Sequence, residues 1–269
     1  MNSLLSADRI ASLVLPMSPH IAIEIVNETG STNADLLARA EQLSDPVLRV
    51  AETQTAGRGR AGRVWHAEPT ASLTFSLAWP FQCGVSALLG LPLVVGVALA
   101  ETLAAQGVDA RLKWPNDLLL HDEKLGGILV ETATARQDGD VLTWAVIGVG
   151  LNLAMPQTLQ QKIGGTAAAL PVGANRNQLL AVLAQGLATV LPQFAREGFA
   201  PFAARWNLLH AHAGQAVRII DHGQILHVGV AVGVDATGRL LLDTDAGRVA
   251  VMAGDVSLRR QEGQHAIAG

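Results

Sequence analysis

The sequence predicts an α+β protein: a mixed, largely antiparallel sheet flanked by helices, followed by a small all-β barrel. Three observations carry this. Short runs that alternate apolar and polar residues, or are rich in strand formers, occur at 21–26, 47–53, 72–79, 111–114, 118–121, 127–132 and 142–149. Helical runs interrupt them at 34–41, 85–106, 177–196 and 202–212. Past Gly214 the pattern changes to short β-rich runs at 216–220, 226–234, 240–243 and 248–252, broken by glycines. The expected division is an N-terminal extension at 1–20, a main domain at 21–213, a small β domain at 214–262 and a tail at 263–269.

The first strand ends at Gly30-Ser31-Thr32-Asn33, where Ser, Thr and Asn are ready N-cap residues for the helical run behind them. The strand at 47–53 runs into a Gly/Arg stretch and the strand at 72–79 follows it. From Cys83 to Ala100 there are eighteen residues without a charge, near the length of a membrane span. Gly84, Gly90, Pro92 and Gly96 interrupt them, Glu101 ends them and no basic cluster flanks them, so the segment reads as a buried helix.

Composition narrows the function. The 269 residues are 49% apolar and 16% charged, which excludes disorder. Cys83 is the single cysteine, so neither a disulfide framework nor a multi-cysteine metal site is available. The net charge of −4 excludes a generally basic nucleic-acid binder. The first residues do not read as a targeting signal, and with one thiol the expected location is the cytoplasm, away from membranes.

Three clusters carry chemistry. The first is Gln54-Thr55-Ala56-Gly57-Arg58-Gly59-Arg60-Ala61-Gly62-Arg63-Val64-Trp65. It contains G-x-G-x-x-G, but a proline and another strand follow where a dinucleotide fingerprint needs a helix and an acid. Its glycines let backbone N–H groups approach a ligand, and its three crowded arginines order best around a carboxylate or phosphate. Trp65 suits an apolar peg that holds such a loop shut. The second is Lys113-Trp114-Pro115-Asn116-Asp117 with Lys124-Leu125-Gly126-Gly127-Ile128-Leu129, which takes two of the three lysines in the chain. A turn at Asp122-Glu123 is expected to put Asp117 and Lys124 near opposite ends of a hairpin. The third, Gly148-Val149-Gly150-Leu151-Asn152, by itself reads as a strand end at a bulge, with Asn152 able to meet a heterocycle edge.

Together, and in this order, the clusters resemble the biotin–protein ligases, over about residues 21–262. Ala61 stands where many members carry another basic residue. The resemblance implies a catalytic domain similar to class II aminoacyl-tRNA synthetases and an SH3-like C-terminal domain. It implies two steps: biotin and ATP, with Mg2+, give biotinoyl-5′-AMP, which then acylates a lysine of the biotin carboxyl carrier protein of acetyl-CoA carboxylase. It also implies roles. Ser31, Thr32 and Gln54 would bond the ureido end of biotin, with Asn33, Gly57, Gly59 and Gly127 alongside. Arg58 and Arg60 would hold the biotin carboxylate and α-phosphate, and Lys124 would bridge them. Arg63, Trp65, Lys113, Asn116 and Asn152 would serve ATP, and Asp117 would orient the incoming amine. Mg2+ is expected with ATP, and its ligands are left open.

Rival expectations are a lipoate or octanoate transferase of the same fold and a non-catalytic biotin-sensing or nucleic-acid-binding module. Some members carry an N-terminal DNA-binding domain of about 60 residues. Residues 1–20, with Pro16 and Pro19, cannot form one, so the expected class is the monofunctional one, without DNA binding, as monomer or homodimer.

Overall fold

The computed structural model describes residues 4–14, 20–137, 140–163, 166–171, 173, 175–254 and 256–260. The tail expected at 263–269 and part of the N-terminal extension lie outside them. In chain order the elements are α1 (Ala7–Leu13), β1 (Ala22–Thr29), α2 (Thr32–Leu37), β2 (Val47–Gln54), β3 (Ser72–Phe81), α3 (Leu91–Ala105), β4 (Arg111–Lys113), β5 (Asp117–Leu120), β6 (Glu123–Gln137), β7 (Asp140–Asn152), α4 (Gln157–Ile163), α5 (Arg176–Glu197), α6 (Ala203–Leu209), β8 (Ala216–Asp221), β9 (Gln224–Val234), β10 (Leu240–Thr244), β11 (Gly247–Val251) and β12 (Val256–Arg260).

The first sheet has the order β1-β2-β3-β7-β6-β5-β4. Its β1–β2 pair is parallel and the others are antiparallel. Side chains alternate across a strand, so this sheet has two unlike faces. Leu73, Phe75, Leu77, Ile147, Val149, Leu151 and Ile128 project into the main core shared with α3 and α5. The opposite face of the same three strands carries small or polar residues: Thr74, Ser76, Gly148, Gly150 and Gly127, in register across Thr74–Gly150–Gly127 and Ser76–Gly148–Leu129. That face is the floor of the site. α2 lies over it, its Leu36 packed with Val47, Ala78, Trp144 and Val146 in a second, smaller core.

α3 is apolar all round and is correspondingly buried; the uncharged segment is an internal helix of this fold. By length and composition alone both 85–105 and 176–197 could cross a membrane. The helix expected from residue 85 begins at 91, because Gly90 (φ 86°) turns the chain where a Cβ would lie 2.8 Å from Phe199. The second sheet, β11-β10-β9-β8-β12, is antiparallel. Its inner residues Val217, Ile219, Ala231, Leu242 and Leu258 belong to the same core cluster as the first sheet. At the junction Trp114 Nε1 donates to Gly238 O (3.3 Å), and Ala211 N donates to Leu112 O (2.9 Å), which occupies the β4 edge.

α1, α4 and β12 are absent from the sequence expectation. The helix expected at 34–41 is α2 followed by a single 3-10 turn at Ala40–Gln42. The bulge expected at Gly148-Val149-Gly150 is not there: the ladder from β3 to β7 runs unbroken to Asn152.

Candidate functional site

Thirteen of the expected residues line one cavity on the small-residue face: Ser31, Thr32, Asn33, Gln54, Arg58, Gly59, Arg60, Arg63, Trp65, Asn116, Asp117, Lys124 and Gly127. Gly57, Lys113 and Asn152 stand outside its wall.

One end is polar and neutral. Ser31 caps α2 by accepting from Ala34 N (3.4 Å). Thr32 donates to Gln54 Oε1 from its backbone N–H (2.8 Å) and its hydroxyl (3.0 Å). The buried Ser76 hydroxyl lies between Thr32 Oγ1 (2.7 Å) and Asn33 Oδ1 (2.5 Å). Its one proton suits the Asn33 carbonyl, which has none of its own. Asn33 Nδ2 donates to Leu129 O (3.3 Å) and to Glu131 Oε2 (2.8 Å). The Asn33 side chain is thus committed to protein partners and forms wall. A Cβ on Gly148 would lie 2.4 Å from Asn33 Oδ1, which explains the glycine.

The other end is cationic. Residues 57–65 form a small hairpin: Trp65 N donates to Gly57 O (2.9 Å), Gly59 N to Arg63 O (2.7 Å), and Arg58 bridges Val64. Its tip passes through left-handed conformations at Ala61 (φ 52°) and Gly62 (φ 68°). A Cβ on Gly57 would meet the Trp65 carbonyl oxygen at 2.5 Å, so Gly57 has a structural duty in closing the hairpin. The Trp65 indole lies on the Gly150–Gly127 pair, where a Cβ on Gly150 would be 2.4 Å from the ring. This is the peg the sequence suggests. Arg60 Nη1 donates to Asn116 Oδ1 (3.0 Å), and Arg60 Nη2 donates to the carbonyl of Gly254 in the small domain. Arg58 Nη2 is 3.3 Å from Glu131 Oε2.

Lys124 corrects an expectation. It is not remote from Asp117: Nζ lies 2.7 Å from Asp117 Oδ1 and 5.9 Å from the Trp65 ring centre. Asp117 pairs across the ladder with Gly127, and a Cβ there would lie 3.5 Å from Lys124 Nζ. The long lysine stem therefore lies along its own strand, over the glycine, back to the carboxylate. The turn is one residue earlier than expected, at His121 and Asp122, both of positive φ.

Four cations, Arg58, Arg60, Arg63 and Lys124, line this cavity against a single acid among the described residues, Asp117. Such an excess suits a ligand that brings two negative groups together. Lys113 lies behind the wall; burial holds its ammonium below the usual lysine range, Asp117 opposes this, and Arg259, Lys124 and Arg63 add to it. Asn152 Nδ2 donates to Ala168 O (3.0 Å) and Lys124 O (3.3 Å). Its Oδ1, like Trp65 Nε1, is buried without a partner among the described residues. Sequence reasoning missed Ser76 and Glu131. Ser76 was visible only as one polar residue in an alternating strand, and Glu131 as an acid four residues past Gly127.

The sequence profile of the biotin/lipoate A/B protein ligase family matches residues 23–152, and that of the biotin protein ligase C-terminal domain matches 212–259. The chain is 37% identical over 245 residues to the bifunctional ligase/repressor BirA of Escherichia coli, covering 90% of this chain and 75% of that one. It is 36% identical over 242 residues to the biotin–[acetyl-CoA-carboxylase] ligase of Mycobacterium tuberculosis, covering 87% and 88%. Among solved structures it is similar to the biotin protein ligase of Aquifex aeolicus in complex with biotin and ATP, with a TM-score of 0.70, 26% identity, and coverage of 89% of this chain and 99% of that chain. A mutant of that ligase in complex with biotin gives a TM-score of 0.73 at the same identity and coverage.

Proposed function

The chain belongs to the biotin/lipoate A/B protein ligase family, among its biotin protein ligases, and from that premise we propose how its cavity works. The activity is that of a biotin–[acetyl-CoA-carboxylase] ligase: ATP-dependent activation of biotin and transfer of biotin to the carboxylase. The lipoate and octanoate alternative is not favoured, since the matched C-terminal domain is that of biotin protein ligases. The observation that carries the mechanism is one cavity with a neutral hydrogen-bonding end at Ser31, Thr32 and Gln54, and an end with four cations and one acid.

In the first half-reaction a biotin carboxylate oxygen bonds to the α-phosphorus and the bond to pyrophosphate breaks. Two anions must meet, so guanidinium and ammonium groups fixed beforehand lower the barrier most. Arg58 and Arg60 hold the carboxylate and the α-phosphate, and Lys124 bridges them. Arg63, Asn116 and Trp65 line the cavity on the nucleotide side, while Lys113 and Asn152 stand outside its wall and would act from behind it, Lys113 through its charge. Mg2+ enters with ATP as part of the substrate. With Asp117 the single acid on the described wall, phosphate oxygens would supply most of its ligands.

In the second half-reaction the acceptor lysine amine attacks the acyl carbon, the C–N bond forms and AMP leaves. Asp117 orients that amine. The Lys124–Asp117 pair couples the halves: a phosphate that draws Lys124 away leaves a carboxylate oxygen for the amine. Both partners reach solvent, so the exchange costs about 1 kcal/mol or less.

We place the enzyme in the cytoplasm, as monomer or homodimer, without membrane or DNA binding. The described residues ahead of β1 dock on the catalytic domain: Leu5 N donates to Glu52 Oε1 (3.1 Å) and Ser6 N to Asn177 Oδ1 (2.8 Å). The test is incubation with biotin, ATP and apo carrier domain, read by streptavidin blot, beside biotin-dependent exchange of labelled pyrophosphate into ATP. No exchange with biotin present would rule out this activity; a shift of operator DNA would show that the chain binds DNA.

A further inference from the structure

We propose that Glu131 is a positioning residue of the site: from outside the ligand cavity it tethers Arg58 to the sheet and fixes its guanidinium at the cavity wall. The proposal rests on the reading of Arg58 as an anion ligand. Glu131 does not line the ligand cavity; it lines an adjoining bowl at the Gly/Arg hairpin with Ala61 and Gly62, and Gly59, Arg60 and Leu129 are shared by the two. Arg58 lines both, so it stands in the partition.

The tether is a continuous chain of contacts. Ser76 on β3 donates to Asn33 Oδ1 (2.5 Å), Asn33 Nδ2 donates to Glu131 Oε2 (2.8 Å), and Arg58 Nη2 lies 3.3 Å from that same oxygen. Ser76 and Asn33 are buried, and Gly148 lies close beneath Asn33, so the inner end cannot shift. A carboxylate held at that end is an anchor for the arginine rather than a wandering competitor. It engages one terminal nitrogen of a guanidinium with five N–H donors, leaving the others for a ligand. Asn33 also follows the cap Ser31 and Thr32 at the start of α2, so one carboxylate links the neutral end of the cavity to its cationic end.

The experiment compares wild type, E131Q, R58A and the double variant E131Q/R58A. Each is assayed for the KM of biotin in pyrophosphate exchange and for biotin binding by calorimetry. Glutamine keeps an acceptor for Asn33 and removes only the charge, so E131Q is expected to melt as wild type does. An exposed ion pair of this kind corresponds to a rise of about two- to fivefold in KM and Kd. In the R58A background E131Q should add nothing, which a merely structural role would not produce. E131D, with its charge on a shorter stem, is expected to show the same rise, and substitutes should E131Q melt early. Unchanged KM and Kd in both variants overturn the proposal, as does an undiminished effect of E131Q in R58A. Wild type without biotin-dependent exchange would sink the functional reading instead.

Discussion

Gly150→Ala places one methyl group under the Trp65 indole. The new carbon would lie 2.4, 2.5 and 2.7 Å from Cε2, Cζ2 and Nε1 of the ring, where carbon contacts relax at about 3.5 Å or more. The ring must therefore rise by roughly 1 Å or leave. The strand cannot give instead, because Gly150 is paired with Thr74 on one side and Gly127 on the other. Overpacking of this kind costs about 1–3 kcal/mol. The strain falls on the hairpin that carries Arg58, Arg60 and Arg63, since Trp65 N is bonded to Gly57 O. If the closed hairpin is needed for adenylation, that energy is lost from the transition state, and kcat/KM for biotin-dependent pyrophosphate exchange drops about tenfold to a hundredfold. The melting temperature should change little, because the hairpin lies at the surface of a large core. Trp65→Ala alone should lose activity, and Gly150→Ala added to it should cost nothing more, since the clash is gone. Exchange within twofold of wild type in a folded Gly150→Ala protein would refute the idea that the indole seals the site.

The remaining expectations concern charge. Asp117→Ala should slow transfer from preformed biotinoyl-AMP about a hundredfold while leaving adenylate formation within a few-fold, measured by single-turnover kinetics with apo carrier; equal loss in both halves would contradict its role. Arg60→Gly removes the contacts to Asn116 and Gly254, so adenylate should escape and label bystander lysines, seen as streptavidin-reactive albumin; a clean blot would count against it. His210 and His212 are held down to about 4, His210 by burial and by His212, and His212 by burial, Lys113 and Arg260 against Asp122. Between pH 6.5 and 4 the unfolded chain binds more protons than the folded one, so stability is full above about 6.5 and falls as the pH drops toward 4. The ceiling is on the order of 3 kcal/mol for each ring. His210 stacks on Trp206 with neither ring nitrogen hydrogen-bonded among the described residues, so His210→Phe should flatten the loss in urea melts at pH 7 and 5; an unchanged slope would assign the acid sensitivity elsewhere.

The cavity was readable to the extent that its parts are local. The Gly/Arg hairpin, the turn before α2, and the β5–β6 hairpin each advertise themselves within a dozen residues, because glycine spacing and crowded cations have few structural uses. The apolar helix was likewise legible as internal: its all-round hydrophobicity leaves only core or membrane, and its glycines and proline argue for the core. The start of α3 was misplaced because Gly90 looks like any helix-interrupting glycine until Phe199, 109 positions away, is seen to fill the place of its Cβ.

What the sequence withheld is what register decides. Whether Asp117 meets Lys124 depends on the side-chain reach of a lysine along its own strand, not on the length of the hairpin between them. A carboxylate at the open end and an ammonium beside the turn look the same in the sequence whether or not the two side chains meet. Ser76 and Glu131 are ordinary residues of alternating strands, and nothing local distinguishes them. They acquire a role only because β3, β7 and β6 pair so that Ser76, Gly148 and Leu129 form one row, with Glu131 in the next. A slip of one residue would turn Ser76 into the core and Phe75 onto the floor. The same alternation that buries Phe75, Ile147 and Val149 therefore also sets the site, and any substitution that slips β3 should destroy stability and ligand binding together rather than either alone.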